Sequence, residues 1–379
     1  MFLNILRKAI HKMSPIYPSK SYKLGKAAFA TAVALFCGAV LAPAATLYSD
    51  NFNVDSSASW TVNVAPAANA SLQSAVFAFD YSTFGIPPAP GSGDTLGLQL
   101  KSNIPGGAAS PVTTRPGGVL SGLSVSPTGQ SFGTTYHLSF YAWENFNGAA
   151  NAQGLADNAN SEGGTHNVLF AVGTSGTVPL VVGNTALASG ASMDGIGFAT
   201  TGDGGIANDY RVYPKSGTIS TPASGVYAAG TGATASQNVN AYYTGIPSLA
   251  PHSAPAVQLA LSTAEYGLDA SNTQAGQTQA GAFGFAWHKV DIYKAGNIVS
   301  WTIDDTSIAT IDISSLGALG GSNIAIGDSD VNTTTTRHPS LLFSLIDNVV
   351  VTDQVPEPSM AVLTGIGLVL FGLARRRKS

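Results

Sequence analysis

The chain has 379 residues, of which 44% are hydrophobic and only 10% charged, and a formal net charge of −4. That charge is unevenly placed: residues 46–355 hold 7 Lys and Arg against 20 Asp and Glu, a net of −13, because the other ten basic residues sit at the two ends. So acidic a body repels nucleic acid and anionic lipid, and a single cysteine, Cys37, excludes a disulfide framework.

The first element reads as an export signal. Residues 1–26 carry Arg7, Lys8, Lys12, Lys20, Lys23 and Lys26 and no acid. Ala27 to Ala42 is apolar, and Ala42-Pro43-Ala44 offers a small-x-small cleavage site. An uncleaved anchor is the alternative reading. A lipoprotein reading fails because Phe36 precedes Cys37, where a small residue is required. The expected organisation is a signal helix over 1–45, one β-sandwich domain over 46–354 and a sorting tail over 355–379.

From Thr46 onward aromatic and β-branched residues recur among Gly, Ala, Ser, Thr and Asn, the composition of short strands joined by long loops. No internal repeat and no long amphipathic helix is evident; the 3.6-residue periodicity at Ala256–Leu261 is weak. Tyr136 to Glu144 is predicted extended, followed by His166–Gly173 and Tyr210–Tyr213. Residues 145–165 and 214–282 have little pattern and read as long loops carrying short strands. Phe283–Tyr293 and Ile298–Asp304 are predicted strands flanking the turn Lys294–Asn297. The turn Asp305–Ser307 then leads to Ile308–Ile313. Val299, Trp301 and Ile303 share one face, while Ser300 and Thr302 share the other. That is the period of a half-buried antiparallel meander, with Trp301 expected between two sheets. Asn323–Gly327 and Leu341–Val351 complete it. The last is apolar on both faces, which predicts a central strand.

Five stretches carry a likeness to a known fold: Tyr48-Ser-Asp-Asn-Phe52, Trp287 to Ile292, Gly296 to Asp305, Asn323 to Asp328, and Leu345-Ile-Asp-Asn-Val349. In this order they resemble the concanavalin-A-like jelly roll, especially its laminin-G-type members. The resemblance covers 283–352 and 47–54 and is thin between. It implies an all-β jelly-roll sandwich in which Tyr48–Val54 and Ile346–Val351 are adjacent antiparallel strands. Lectins, hydrolases, adhesins and inert modules share that fold, so it assigns no function by itself.

Glycoside hydrolases of this fold use alternating acids, Glu-x-Asp-x-x-Glu, on one strand. No such run occurs. Glu144, Glu162 and Glu265 are the only glutamates of the body, far apart in sequence, and Glu144 reads as a solvated strand end or a lone acid. No nucleophile elbow, P-loop, dinucleotide fingerprint or His-Glu-x-x-His is present. His137, His166, His252, His288 and His338 are scattered, and His288 reads as a partly buried, hydrogen-bonded strand residue. The expectation is a protein without catalytic residues. One metal pattern exists: Asp328, Asp330 and Asn332 place three oxygen side chains at alternate loop positions, which suits calcium. Thr333 stands where an EF-hand needs glycine and Pro339 where it needs glutamate, and an Asx-rich turn explains the same residues. Tyr141 and Trp143 share a strand face opposite Leu138 and Phe140. They either stack on sugar rings or form a second buried layer beneath the loops.

The chain closes on a three-part tail. Val355-Pro356-Glu357-Pro358 cannot continue a helix or an inner strand. Ser359 to Ala374 is uncharged and would span about 24 Å as a helix, against a hydrocarbon core of roughly 30 Å. Arg375, Arg376, Arg377 and Lys378 then hold the end in the cytoplasm, with the body on the far side of the membrane. A buried core helix would not adjoin four cations. The order resembles the PEP-CTERM sorting signal of Gram-negative bacteria. That resemblance implies a transient transmembrane sorting helix, processing by an exosortase-type enzyme and release to the cell surface or extracellular matrix. The expected protein is an exported, non-catalytic structural or adhesive component. Its partners are the export machinery, the processing enzyme and, if it is instead a carbohydrate-binding module or a degenerate glycoside hydrolase, an extracellular polysaccharide. Nucleic acid is not expected, and the membrane is met only through the terminal helices.

Overall fold

The computed structural model describes residues 44–102, 104–105, 120–146, 166–183, 192–202, 210–214, 228–229, 241–266, 277–278, 280–330, 335–336 and 339–353. Residues 1–43 of the expected signal segment and the whole sorting tail therefore lie outside the described residues, and none of the described helices is long and apolar enough to cross a membrane.

Strands dominate. They are β1 (Thr46–Asp50), β2 (Trp60–Ala65), β3 (Ser74–Asp80), β4 (Leu96–Lys101), β5 (Ile104–Pro105), β6 (Ser121–Pro127), β7 (Thr135–Asn145), β8 (His166–Thr174) and β9 (Ile196–Thr201). There follow β10 (Tyr210–Pro214), β11 (Ala228–Ala229), β12 (His288–Ala295), β13 (Ile298–Ile303), β14 (Thr306–Asp312), β15 (Asn323–Asp330), β16 (Thr335–Thr336) and β17 (Phe343–Thr352). Among the described residues two α-helices, α1 (Ala241–Thr244) and α2 (Val257–Tyr266), lie between β11 and β12. The weak periodicity at 256–261 thus marks a real helix, docked through buried Gln258, whose Nε2 donates to Asn145 Oδ1 at 2.7 Å.

The front sheet has the order β14-β13-β12-β7-β17-β4-β3, with β1 also on β17; the back sheet runs β11-β10-β9-β8-β15-β6-β2. Chain neighbours are separated repeatedly, β7 lying between β12 and β17 and β15 between β8 and β6. This is the jelly-roll β-sandwich. Its closure follows from one strand. On one side β17 pairs with β7 along most of its length. On the other, Ser344–Ile346 pair with β4, and Val349–Thr352 pair antiparallel with β1, from Asp50↔Val349 to Thr46↔Thr352. The change of partner falls at a bulge where Asn348 has φ 53°; Asn tolerates this left-handed conformation better than most residues. First and last strands are adjacent, as expected, although the first ends at Asp50 rather than Val54.

Several boundaries differ from expectation; β12 runs on through Lys294 to Ala295, which leaves Gly296–Asn297 as the turn before β13. The first meander strand begins at His288, because Phe283 to Trp287 turns across the sheet end, with Phe285 at φ 60°. The β13–β14 turn is Asp304–Asp305, with φ 48° and 61°. Two positive values in a two-residue hairpin loop make the strongly twisted turn that such strands favour, so β13 stops at Ile303 and β14 starts at Thr306.

Alternation builds the core. Leu98, Leu100, Leu138, Phe140, Ala142, Val290, Ile292, Val299, Trp301, Ile303 and Ile346 point inward from the front sheet. They meet Leu123, Val125, Val168, Phe170, Val172, Ile196, Phe198, Ile324 and Ile326 from the back. Trp301 is fully buried, its ring centre 5.3 Å from Phe170, 5.2 Å from Phe198 and 6.0 Å from Tyr210. The outer face of the back sheet is covered by Leu180, Val182 and Met193. The outer face of the front sheet is covered at one end by a second aromatic layer, including Tyr81, Trp143, Phe146, Phe285 and Phe343. At its other end it is open, with His137, Ser139, Tyr141, Tyr293, Ser300 and Thr302 half-buried.

Candidate functional site

The alternation that makes the core apolar also sets what stands at its end. Two residues beyond Leu100, Ala142, Val168, Ile326 and Ile346, on the same inward faces, come Ser102, Glu144, His166, Asp328 and Ser344. All five are at most 1% exposed. Asp328 is the hub. One carboxylate oxygen accepts a very short hydrogen bond from Ser102 Oγ; the other accepts from Ser344 Oγ at 2.6 Å. His166 Nδ1 lies 3.4 Å from Asp328 Oδ2, and its Nε2 lies 3.6 Å from Glu144 Oε1. Ser121 Oγ donates to Ser102 O at 2.9 Å. Gly202, at the end of β9, lets this end close: a Cβ there would stand 3.1 Å from Glu144 Cγ. The network therefore ties β7 and β17 of the front sheet to β8 and β15 of the back.

This placement corrects two expectations. Asp328 and Asp330 are not on a loop. They belong to β15, where Asp330 pairs with both Ser121 and His166, and both side chains are buried. Asn332, the third residue of the calcium pattern, lies outside the described residues. Among the described residues no three His, Cys, Asp or Glu side chains converge as a metal site. Glu144, expected at a solvated strand end, is fully buried, because β7 continues to Asn145 and Glu144 shares the inward face of Phe140.

The two aromatic residues of the sugar-stacking pattern separate. Trp143 is 3% exposed within the second aromatic layer, 5.9 Å from the Trp287 ring, and its Nε1 donates to Asn145 Oδ1 at 3.3 Å. It offers no free face. Tyr141 stands at the margin of the open face, opposite Lys289 on one side and Asp347 on the other. Nearby, His137 Nε2 is 2.6 Å from Asp291 Oδ1, Lys289 Nζ is 3.0 Å from Asp291 Oδ2, and the Tyr293 ring stacks on His137 at 4.1 Å. Burial pushes the Asp291 carboxyl up, but the hydrogen bonds to His137 and Lys289 outweigh it and hold it below the ordinary range. Asp347 goes the other way: burial raises it from 3.8 to about 6, against the opposing bonds from Asn348 N–H and Tyr81 Oη.

Asp347 has a pH signature of definite sign. Its folded state binds a proton more tightly than its unfolded state, so between about pH 4 and pH 6 the folded chain carries the extra proton. Stability falls as pH rises through that window. Asp291, with a lowered value, contributes in the opposite sense and only under more acid conditions. Urea unfolding of Asp347→Asn and its parent at a series of pH values isolates the effect. The variant is expected to lose less stability than the parent between pH 4 and 6, and parallel curves would exclude this role.

One family model matches the sequence, the PEP-CTERM protein-sorting motif, over residues 354–378. No curated protein matches. Solved structures similar to this chain include a protein of unknown function with a galectin-like fold from Bacillus subtilis, at 8% identity and TM-score 0.34, covering 82% of this chain and 96% of that one. The laminarinase from Rhodothermus marinus has 10% identity and TM-score 0.37, with coverages of 83% and 99%. A family 16 endo-glucanase from Bacteroides ovatus has 12% identity and TM-score 0.31, with coverages of 80% and 99%. The strand order of the two sheets carries the jelly-roll fold by itself.

Proposed function

We propose that this chain is an exported, non-catalytic structural or adhesive protein whose jelly roll is delivered to the cell surface or extracellular matrix by its C-terminal sorting signal. The observation that carries this reading is the sorting motif at 354–378 and its position against the fold. It starts immediately after Asp353, whose backbone N–H donates to Ala45 O at 3.0 Å and whose carboxylate accepts Ala45 N–H at 2.8 Å. The β1–β17 pairing thus closes the sandwich just inside both terminal segments, and processing there removes no described strand. The carboxylates support a role without catalysis: Glu144 and Asp328 are sealed inside, and Asp291 is held between His137 and Lys289.

Deleting Pro356 to Ser379 is expected to release the protein without membrane retention or exosortase-type processing. Mass spectrometry of surface protein from cells with the intact gene is expected to show a C-terminus near Pro356–Pro358. Mature surface protein that still carries Arg375 to Lys378 would refute processing.

A second reading, carbohydrate binding, is favoured by the open face, where Tyr141 and the stacked His137–Tyr293 pair sit beside hydrogen-bonding Lys289 and Asp291. On a glycan array Tyr141→Ala is expected to lose binding with an unchanged melting temperature, whereas Trp143→Ala is expected to melt earlier because its ring is core. An array on which the parent binds nothing would remove this reading.

A further inference from the structure

Two histidines that are scattered in sequence meet at the start of β12. His288 is 1% exposed, and His252 comes from the irregular segment before α2. His288 Nδ1 lies 2.7 Å from Asp304 Oδ2. A carboxylate can only accept, so Nδ1 carries a proton, and in the neutral ring Nε2 then holds the lone pair. That Nε2 is buried and has no hydrogen-bond partner among the described residues. His252 Nδ1 is likewise buried and without a partner among them, and the two ring centres are 6.1 Å apart at 74°. Buried polar atoms in folded proteins are normally satisfied by protein, water or an ion. Two unsatisfied imidazole nitrogens on neighbouring rings are matched by one group that accepts lone pairs from both.

We propose that His252 and His288 form a two-histidine site for a divalent transition metal of the zinc type, oriented by Asp304. Imidazole suits such borderline ions. Two rings bound to one zinc at Zn–N distances of about 2.0–2.1 Å have centres roughly 5–6 Å apart, so a small side-chain adjustment brings both nitrogens to one ion. The Asp304 contact is the outer-shell carboxylate that fixes the ring and raises ligand basicity in metal sites. It is itself anchored: Asp304 Oδ1 accepts Lys289 N–H at 2.8 Å, in the tight β13–β14 turn. Phe283 forms an apolar wall 4.5 Å from the His288 ring. His252 is fixed through its backbone, which exchanges bonds with Thr278, N–H to Oγ1 at 2.7 Å and O from N–H at 2.8 Å. Two protein ligands leave the remaining positions to water. A bound ion would fasten the crossover between β11 and β12 onto the front sheet.

The test is zinc titration into the untagged full chain in detergent, read by calorimetry and by melting. The expected result is one saturable zinc per chain and a raised melting temperature. His252→Ala is expected to abolish that saturation while melting like the parent without metal, because its anchoring bonds are backbone bonds. Asp304→Asn is expected to bind about tenfold more weakly, the loss typical of an outer-shell partner. A parent that shows no saturable zinc binding, or a His252→Ala chain that binds zinc as the parent does, overturns the proposal.

Discussion

Trp301→Ala is expected to lose most of the stability of the sandwich. Removing a buried Trp side chain typically costs about 3–5 kcal/mol, and a folded domain's whole margin is only about 5–15 kcal/mol. The position makes the upper part of that range apt. The Trp301 ring leaves the front sheet and touches Phe170, Phe198 and Tyr210, which come from three strands of the back sheet. A cavity there loosens both layers at once, and rigid strands on either side leave little scope for collapse. The indole N–H has no hydrogen-bond partner among the described residues, so the loss is one of packing. Trp301→Phe is therefore expected to recover much of it, since an aromatic ring remains and no hydrogen bond is given up. Thermal melting and urea unfolding of the two variants measure this. A Trp301→Ala chain that melts within a degree or two of the parent would show that the ring does not bridge the sheets.

Trp301 was legible because its strand alternates cleanly: Val299 and Ile303 flank it on one face and Ser300 and Thr302 occupy the other, so the face is fixed by parity alone. The pairing of β1 with β17 was legible from the likeness of Asp50-Asn51-Phe52 and Asp347-Asn348-Val349 to the closing strands of a known fold. The polar end of the core was not read, although its signal was present. Glu144 has the parity of Leu138 and Phe140, His166 that of Val168 and Phe170, and Asp328 that of Ile324 and Ile326. Residue type argues against burial for each, and Gly327-Asp-Ser-Asp330 mimics a turn when its partners are unknown. Those partners, in β6 and β8, lie far away in the chain. For Trp143 the second of the two readings, a buried layer, is the one that holds. Its parity puts it on the outer face with Tyr141, and only the non-local layer built by Tyr81, Phe285 and Trp287 buries it. The His252–His288 meeting had no local sign, because His252 lies outside any strand.

Asp328→Ala is expected to be as damaging as the loss of Trp301, for the opposite physical reason. A buried carboxylate is costly to desolvate, and such a network is typically worth little relative to an apolar replacement of all its members. Truncating one member of such a set is different: it strands the others, and removing one partner of a buried charged pair typically costs about 3–5 kcal/mol. In Asp328→Ala the hydroxyls of Ser102 and Ser344 lose their acceptor and His166 Nδ1 loses its partner, all within a core end that admits almost no water. Asp328→Asn keeps one acceptor oxygen but turns an amide donor toward a hydroxyl, so an intermediate loss is expected. Replacing Ser344 by Ala removes only one donor and should cost about 1 kcal/mol. The double variant Ser344→Ala/Asp328→Ala should then lose less than the sum of the two, because the orphaned hydroxyl is gone. Urea unfolding of the four chains gives the coupling directly. A near-additive cycle, or a loss below about 1 kcal/mol for Asp328→Ala, would mean that the carboxylate does not hold the sheets together.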